Sequence, residues 1–162
     1  MSAPPAPDAA LGDLVAIHVA KGRRLPMRPM ERVEVETARG ILGDRYHGSK
    51  HRQVSIQSLE ALRAAEAVFG APVPAGLTRR NLTVASGVVP SAPGSLIRVG
   101  VVLLEVVRVA APCKLLDDTI GPGAQAALRH RGGSICRVLE GGWVSVGDQV
   151  SVGTPPTAAA ST

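Results

Sequence analysis

Short apolar segments alternate with Gly- and Pro-rich turns along most of the chain. In residues 31–38, Val33 and Val35 fall on one face of an extended chain, and Glu34 and Glu36 fall on the other. This alternation is typical of a half-buried strand. Further strands are predicted at 14–20, 52–58, 82–86, 95–99, 101–109, 134–140 and, as two short strands, 143–152.

Residues 101–109 are almost continuously apolar, which predicts a strand buried on both faces or placed in a barrel wall. The pairs Gly-Gly at 141–142 and Gly-Asp at 147–148 predict hairpin turns. Two helices are also expected. One spans about 58–70, with Ser58 as its cap, Gly70 at its end and an apolar stripe of Leu59, Leu62, Ala65 and Phe69.

A shorter helix is predicted near 123–131. Eight or nine short strands and two helices indicate a mostly β protein, a closed or partly closed barrel. The length of 162 residues fits one domain. Residues 1–10 are rich in Ala and Pro and predict a disordered leader, 11–152 the folded domain, and 153–162 a disordered tail.

The chain has 18 Lys and Arg against 13 Asp and Glu, a formal charge of +5, which favours anionic partners. It has one Phe, one Tyr and one Trp, too few for a platform on which nucleic-acid bases stack. We therefore expect no nucleic-acid partner. The start of the chain lacks the pattern of a signal peptide, and no apolar run spans a membrane, so a cytoplasmic protein with free thiols is expected.

Cys113 follows the longest predicted strand, after Pro112 and before Lys114. A cation beside a thiol favours the thiolate, the form that binds a soft metal or carries sulfur. The alternative is a buried structural cysteine. Cys136 lies within a predicted strand, which favours a place in the core.

Arg79, Arg80 and Asn81 precede a strand and could grip a phosphate or carboxylate, or they could form a solvated loop. The loop 43–53 could likewise be an anion-binding lid or a solvated segment. Its charged and titratable residues are Asp44, Arg45, His47, Lys50, His51 and Arg52. The chain contains no P-loop, GxGxxG or nucleophile-elbow motif.

Five segments in order, ILGDRYHGSKHRQVSI, RRNLTV, GSLIRVG, LEVVRVAAPCKLL and SICRVLEGGWVSVGD, together resemble the MOSC family, named for the C-terminal part of molybdenum-cofactor sulfurases. The resemblance covers about residues 14–152 and implies a MOSC-type β-barrel with a functional cysteine at Cys113. It also implies an association with the molybdenum cofactor, a molybdenum held by a phosphorylated pterin dithiolene. Cys113 would then ligate molybdenum or carry sulfur. Arg79 and Asn81, joined by Arg80, Arg45 and Lys114, would hold the anionic cofactor.

Three hypotheses follow. In the first, the protein binds molybdenum cofactor and either reduces N-hydroxylated small molecules, with a separate electron-donor protein, or carries the cofactor. In the second, Cys113 carries a persulfide supplied by a separate cysteine desulfurase. In the third, the barrel binds anions or a partner without catalysis. Whether the protein is an enzyme stays open, and no pyridoxal phosphate is expected because the chain has no room for a desulfurase domain.

Overall fold

The structure, a computed structural model, describes residues 10–153. Its strands are β1 Ala10–Val19, β2 Arg28–Met30, β3 Arg32–Glu36, β4 Gly40–Ile41, β5 Val54–Ser58, β6 Leu82–Val84, β7 Leu96–Val99, β8 Val102–Val109, β9 Ser134–Glu140, β10 Gly142–Ser145 and β11 Gln149–Gly153. Its α-helices are α1 Leu59–Phe69, α2 Leu115–Thr119 and α3 Ala124–Ala127, and a 3₁₀ turn covers Ala75–Leu77. The predicted leader and tail lie outside the described residues, except that Ala10 begins β1 and Gly153 ends β11.

Seven strands form a closed barrel in the order β11, β7, β8, β9, β5, β6 and β1. Antiparallel pairing of β1 with β11 closes it, with Ala10 opposite Ser151. β5 and β6 are parallel, and the connection between them contains α1. The mostly β class and the barrel predicted from the sequence are confirmed.

A second, three-stranded sheet has the order β10, β3, β4. The hairpins predicted at 141–142 and 147–148 are wrong, because β10 pairs with β3 and not with β9 or β11. The two-residue hairpin lies instead at 100–101, where Val99 pairs with Val102. A glycine pair indicates a turn but does not determine which strand the next segment joins.

Aliphatic side chains fill the barrel, as the near absence of aromatic residues requires. Its largest fully buried members include Leu14, Ile17, Ile41, Ile56, Leu82, Ile97 and Leu104. A second apolar cluster lies between the helices and contains Leu62, Ala65, Val73, Leu116, Ala124, Ala127 and Leu128. The helical layer thus has its own small core, which supports the segment that follows β8.

The predicted ends of α1 are confirmed: the Ser58 side chain accepts the Ala61 N–H, and Gly70 takes the left-handed conformation, with φ of 82°. The helix predicted over 123–131 is shorter, because His130 has a φ of 65° that an α-helix does not continue. β2, β4 and α2 were not predicted, since each is too short to show a period. Within residues 10–153, no helix is long and apolar enough to cross a membrane.

Candidate functional site

The Cys113 thiol is exposed, on the segment that links the end of β8 to α2. Residues 110–113 belong to no strand, and α2 begins two residues after the cysteine. Cys136 is different: it is fully buried in β9, and burial raises the pKa of its thiol to about 12. Of the two free cysteines, Cys113 is the one that a reactant from solution reaches.

Arg79 is buried and holds the loop that follows β1. Its Nη atoms donate to the carbonyls of Gly22, Arg23 and Leu25, at 3.4, 2.6 and 2.5 Å. Burial lowers the pKa of Arg79, and the nearby Arg45 guanidinium lowers it further. Arg79 therefore fixes one wall of the site through the backbone of that loop.

Arg80 is also buried and holds the segment that leads to Cys113. Its Nε donates to the Gly132 carbonyl at 2.8 Å, and its Nη2 donates to the Ala110 and Ala111 carbonyls at 3.3 and 3.1 Å. Burial lowers the pKa of Arg80 to about 10, with a further contribution from Arg52, while the charge of Cys113 acts in the opposite direction. Arg80 thus lies within electrostatic reach of the thiol and anchors the segment that carries it.

Asn81 has all its amide groups engaged inside the protein. Its Nδ2 donates to the His18 carbonyl at 3.1 Å and to Asp44 Oδ1 at 3.2 Å. Its Oδ1 accepts from the N–H and the hydroxyl of Ser55, at 3.0 and 3.1 Å. In this conformation Asn81 ties β1, β5 and β6 together, and its predicted direct contact with an anion stays a prediction.

The Asp44 carboxylate is fully buried and anchors the 43–53 loop. Its Oδ1 accepts from the Ala20 N–H at 3.1 Å and from Arg45 Nη1 at 3.0 Å, and its Oδ2 accepts from the Tyr46 N–H at 3.2 Å. Arg45 Nη2 in turn donates to the Arg79 carbonyl at 3.0 Å. Sequence reasoning treated Asp44 as one of several loop charges and missed this anchoring role.

Tyr46, the one tyrosine of the chain, has two guanidinium groups against its ring. Arg45 Cζ lies 4.6 Å and Arg52 Cζ 4.4 Å from the ring centroid. Arg52 Nε is buried and has no hydrogen-bond partner among the described residues. A buried donor without an acceptor is unfavourable, so Arg52 Nε is an unsatisfied polar group beside the Tyr46 ring.

Lys114 lines a pocket of about 440 Å³ beside the cysteine, together with Arg23, Arg24, Leu115 and Asp118. Three cationic side chains face one carboxylate there. Because Arg79 holds the Arg23 carbonyl, the buried arginine sets the position of this exposed pair of arginines. Sequence reasoning did not select Arg23 and Arg24, since nothing in their spacing connects them to Cys113.

The predicted site residues are therefore brought to one end of the barrel, but at different depths. Cys113 and Lys114 are exposed, Arg45 is partly buried, and Arg79, Arg80 and Asn81 are buried. Cationic side chains concentrated at one end of a protein attract anions, and Lys114 follows the exposed Cys113 directly in the chain. Within residues 10–153, no group of three or more His, Cys, Asp or Glu side chains is arranged to hold a metal ion.

The fold and a sequence family agree with this description. The chain resembles the YuaD protein from Bacillus subtilis with a TM-score of 0.76 and 20% sequence identity, over 88% of this chain and 94% of that one. It resembles YiiM from Geobacillus stearothermophilus with a TM-score of 0.70 and 20% identity, over 91% of this chain and 77% of that one. It resembles YiiM from Escherichia coli with a TM-score of 0.63 and 18% identity, over 94% of this chain and 72% of that one. At these identities the likeness shows the fold alone. No curated protein matches the sequence. The family model described as "MOSC domain" matches residues 43–151, and the chain therefore belongs to the MOSC family.

Proposed function

We propose that this MOSC protein binds the molybdenum cofactor at the Cys113 end of the barrel. The observation that carries the proposal is an exposed thiol within electrostatic reach of buried Arg79 and Arg80, beside a pocket lined by Arg23, Arg24 and Lys114. A thiolate is a suitable ligand for a soft metal, and a cationic pocket suits a phosphate.

The residues present fit the cofactor, with exposed side chains in direct contact with it and buried side chains in support. Cys113 would supply the metal ligand, and the cofactor brings its own dithiolene sulfurs. Arg23, Arg24 and Lys114 would hold the phosphate, while Arg79 and Asn81, whose donors are engaged by protein acceptors, support the walls.

When bound, the cofactor would supply the chemistry for a two-electron reduction of an N-hydroxylated small molecule. The chain itself would hold the thiolate, neutralise the anion and orient the substrate beside the 43–53 loop. Electrons would come from a separate donor protein. A protein that holds the cofactor only to pass it to another would use the same residues.

Metal and pterin content test this proposal. The protein is purified from a host that makes molybdenum cofactor, as wild type, Cys113→Ala and the matched control Cys136→Ala. We expect stoichiometric molybdenum and pterin in the wild type and the control, and their loss in Cys113→Ala. Absence of both from the wild type, or full retention in Cys113→Ala, would contradict the proposal.

A persulfide carrier is a second candidate, favoured by the exposure of Cys113 on a loop that a desulfurase could reach. Incubation with a cysteine desulfurase and cysteine would then add the mass of one sulfur atom to the chain. Reducing agent should remove it, and Cys113→Ala should not acquire it. If neither molybdenum nor persulfide is found, a barrel that binds anions without catalysis is the hypothesis that remains.

A further inference from the structure

The segment that leads to Cys113 has its carbonyls bound by side chains and not by a neighbouring strand. Arg80 Nη2 donates to the carbonyls of Ala110 and Ala111, at 3.3 and 3.1 Å. The next carbonyl, that of Pro112, accepts from Gln125 Nε2 at 3.3 Å. Three consecutive carbonyls before the thiol are therefore bound by two side chains.

Gln125 also holds the chain on the other side of the cysteine. Its backbone N–H donates to Asp117 Oδ1 at 2.8 Å, and Asp117 belongs to α2. The Cys113 carbonyl accepts the Leu116 N–H at 3.0 Å, so a hydrogen-bonded turn joins the cysteine to the start of α2. Through its amide and its backbone, Gln125 thus contacts residues 112 and 117, which lie on either side of Cys113.

Gln125 belongs to α3, but core packing does not account for its contacts. α3 has four residues, of which Ala124 and Ala127 are the buried ones. Gln125 is half-buried and lines a pocket of about 380 Å³ with Pro112, Asp117 and Arg129. Its side chain therefore contributes a directed hydrogen bond more than it contributes core volume.

We infer that Gln125 is a positioning residue for the Cys113 thiol. Its side-chain amide holds the Pro112 carbonyl and its backbone N–H holds Asp117, and these contacts fix the backbone on both sides of the thiol. The inference rests on the proposed function only in taking Cys113 as the reacting group. A thiol held in one orientation needs no reordering when it meets a ligand.

The test is a spin label on Cys113, which is selective because Cys136 is fully buried. The labelled variants are Gln125→Ala and the matched control Gln149→Ala, which loses one exposed bond to Asp13. For Gln125→Ala we expect the ratio of mobile to immobile label to rise roughly fivefold, the equilibrium factor that one hydrogen bond of ordinary strength supports. The control should keep the wild-type spectrum. A wild-type spectrum in Gln125→Ala would overturn the inference.

A second pair of variants separates hydrogen bonding from size. Gln125→Glu keeps the length of the side chain and loses the donor, whereas Gln125→Lys keeps a donor. We expect the ratio of mobile to immobile label to rise in the glutamate variant and to return partly to the wild-type value in the lysine variant. Equal spectra for the two would overturn the inference. Because label mobility needs no cofactor, this result and the molybdenum measurement can fail independently.

Discussion

The two cysteines lie in opposite kinds of environment. Cys136 is surrounded by the aliphatic core of the barrel, in a strand paired on both sides. Cys113 lies outside any strand, exposed and within electrostatic reach of two buried arginines. Burial keeps the Cys136 thiol neutral, whereas the Cys113 thiol is exposed to solvent. The difference arises because Cys136 lies within β9 and Cys113 lies beyond the end of β8.

The difference also appears in how the polar groups are satisfied. In the barrel, backbone groups pair with backbone groups. At the Cys113 end, arginine, asparagine and aspartate side chains replace the missing strand neighbours, over sequence separations of up to 63 residues. Predictions that alter either region can test this contrast.

Asp44→Ala should have the largest effect. The change leaves the Ala20 N–H, the Asn81 amide and the Arg45 guanidinium without their buried acceptor. Removal of one member of a buried charged pair costs about 3–5 kcal/mol of unfolding free energy. Urea unfolding measures it, with the exposed Asp118→Ala as control, and a loss equal to that of the control would contradict the anchoring role.

Gly133→Ala should have the next largest effect. Gly133 joins the two regions, because its carbonyl accepts the Ala110 N–H at 2.9 Å. Its φ is 83°, and a Cβ there would collide with the Ile56 carbonyl. We expect a loss of about 2–4 kcal/mol. Gly147 has a φ of 101°, but a Cβ there would meet no atom within 4 Å. Gly147→Ala should therefore lower the free energy of unfolding by only about 1 kcal/mol. Similar losses in a thermal unfolding series would refute the collision.

Burial of the Cys136 thiol should make the stability of the fold depend on alkaline pH. The folded pKa of Cys136 is raised to about 12 from 9.0, so its burial stabilises the fold fully below pH 9. As the pH rises from 9 towards 12 the unfolded thiol ionises first, and that stability is lost. The wild type should therefore lose stability more steeply over this range than Cys136→Ala does. Parallel curves for the two proteins would count against burial of the thiol.

Tyr46→Leu should have the smallest effect of the series. It removes the ring that contacts the guanidinium groups of Arg45 and Arg52. A loss of about 1 kcal/mol is expected, since each of the two cation–π contacts stabilises the fold by about 0.5–1 kcal/mol. Tyr46→Phe keeps the ring and serves as control. Chemical denaturation measures both, and a phenylalanine variant as weak as the leucine one would assign the loss to the hydroxyl group.

Local patterns in the sequence predicted most of the longer strands and the main helix. Alternation of Val33 and Val35 with acidic residues marked β3, and Ser58 and Gly70 marked the ends of α1. β2 and β4 have three and two residues, too few for any period to show. The hairpin errors arose because a turn pattern does not specify a partner, and here β10 leaves the barrel for the second sheet.

The position of the candidate site could be predicted from the sequence, but the burial of its residues could not. Pro112 and the end of the apolar run placed Cys113 beyond a strand, where the structure has it. The burial of Arg79, Arg80 and Asn81 depends on carbonyls 30 to 63 residues away, which no local pattern indicates. Gln125 was missed for the same reason, since its contacts form only when α3 packs beside the Cys113 segment.

The closure of the barrel by β1 and β11 has a consequence for synthesis of the chain. β1 is made first, but its partner at Ser151 follows 141 residues later, and β7 also lacks its outer neighbour until then. During synthesis the sheet therefore has two unpaired edges until β11, the strand that joins them, emerges from the ribosome. Chaperone binding to the nascent chain should be strongest in that interval, and it should end when β11 emerges.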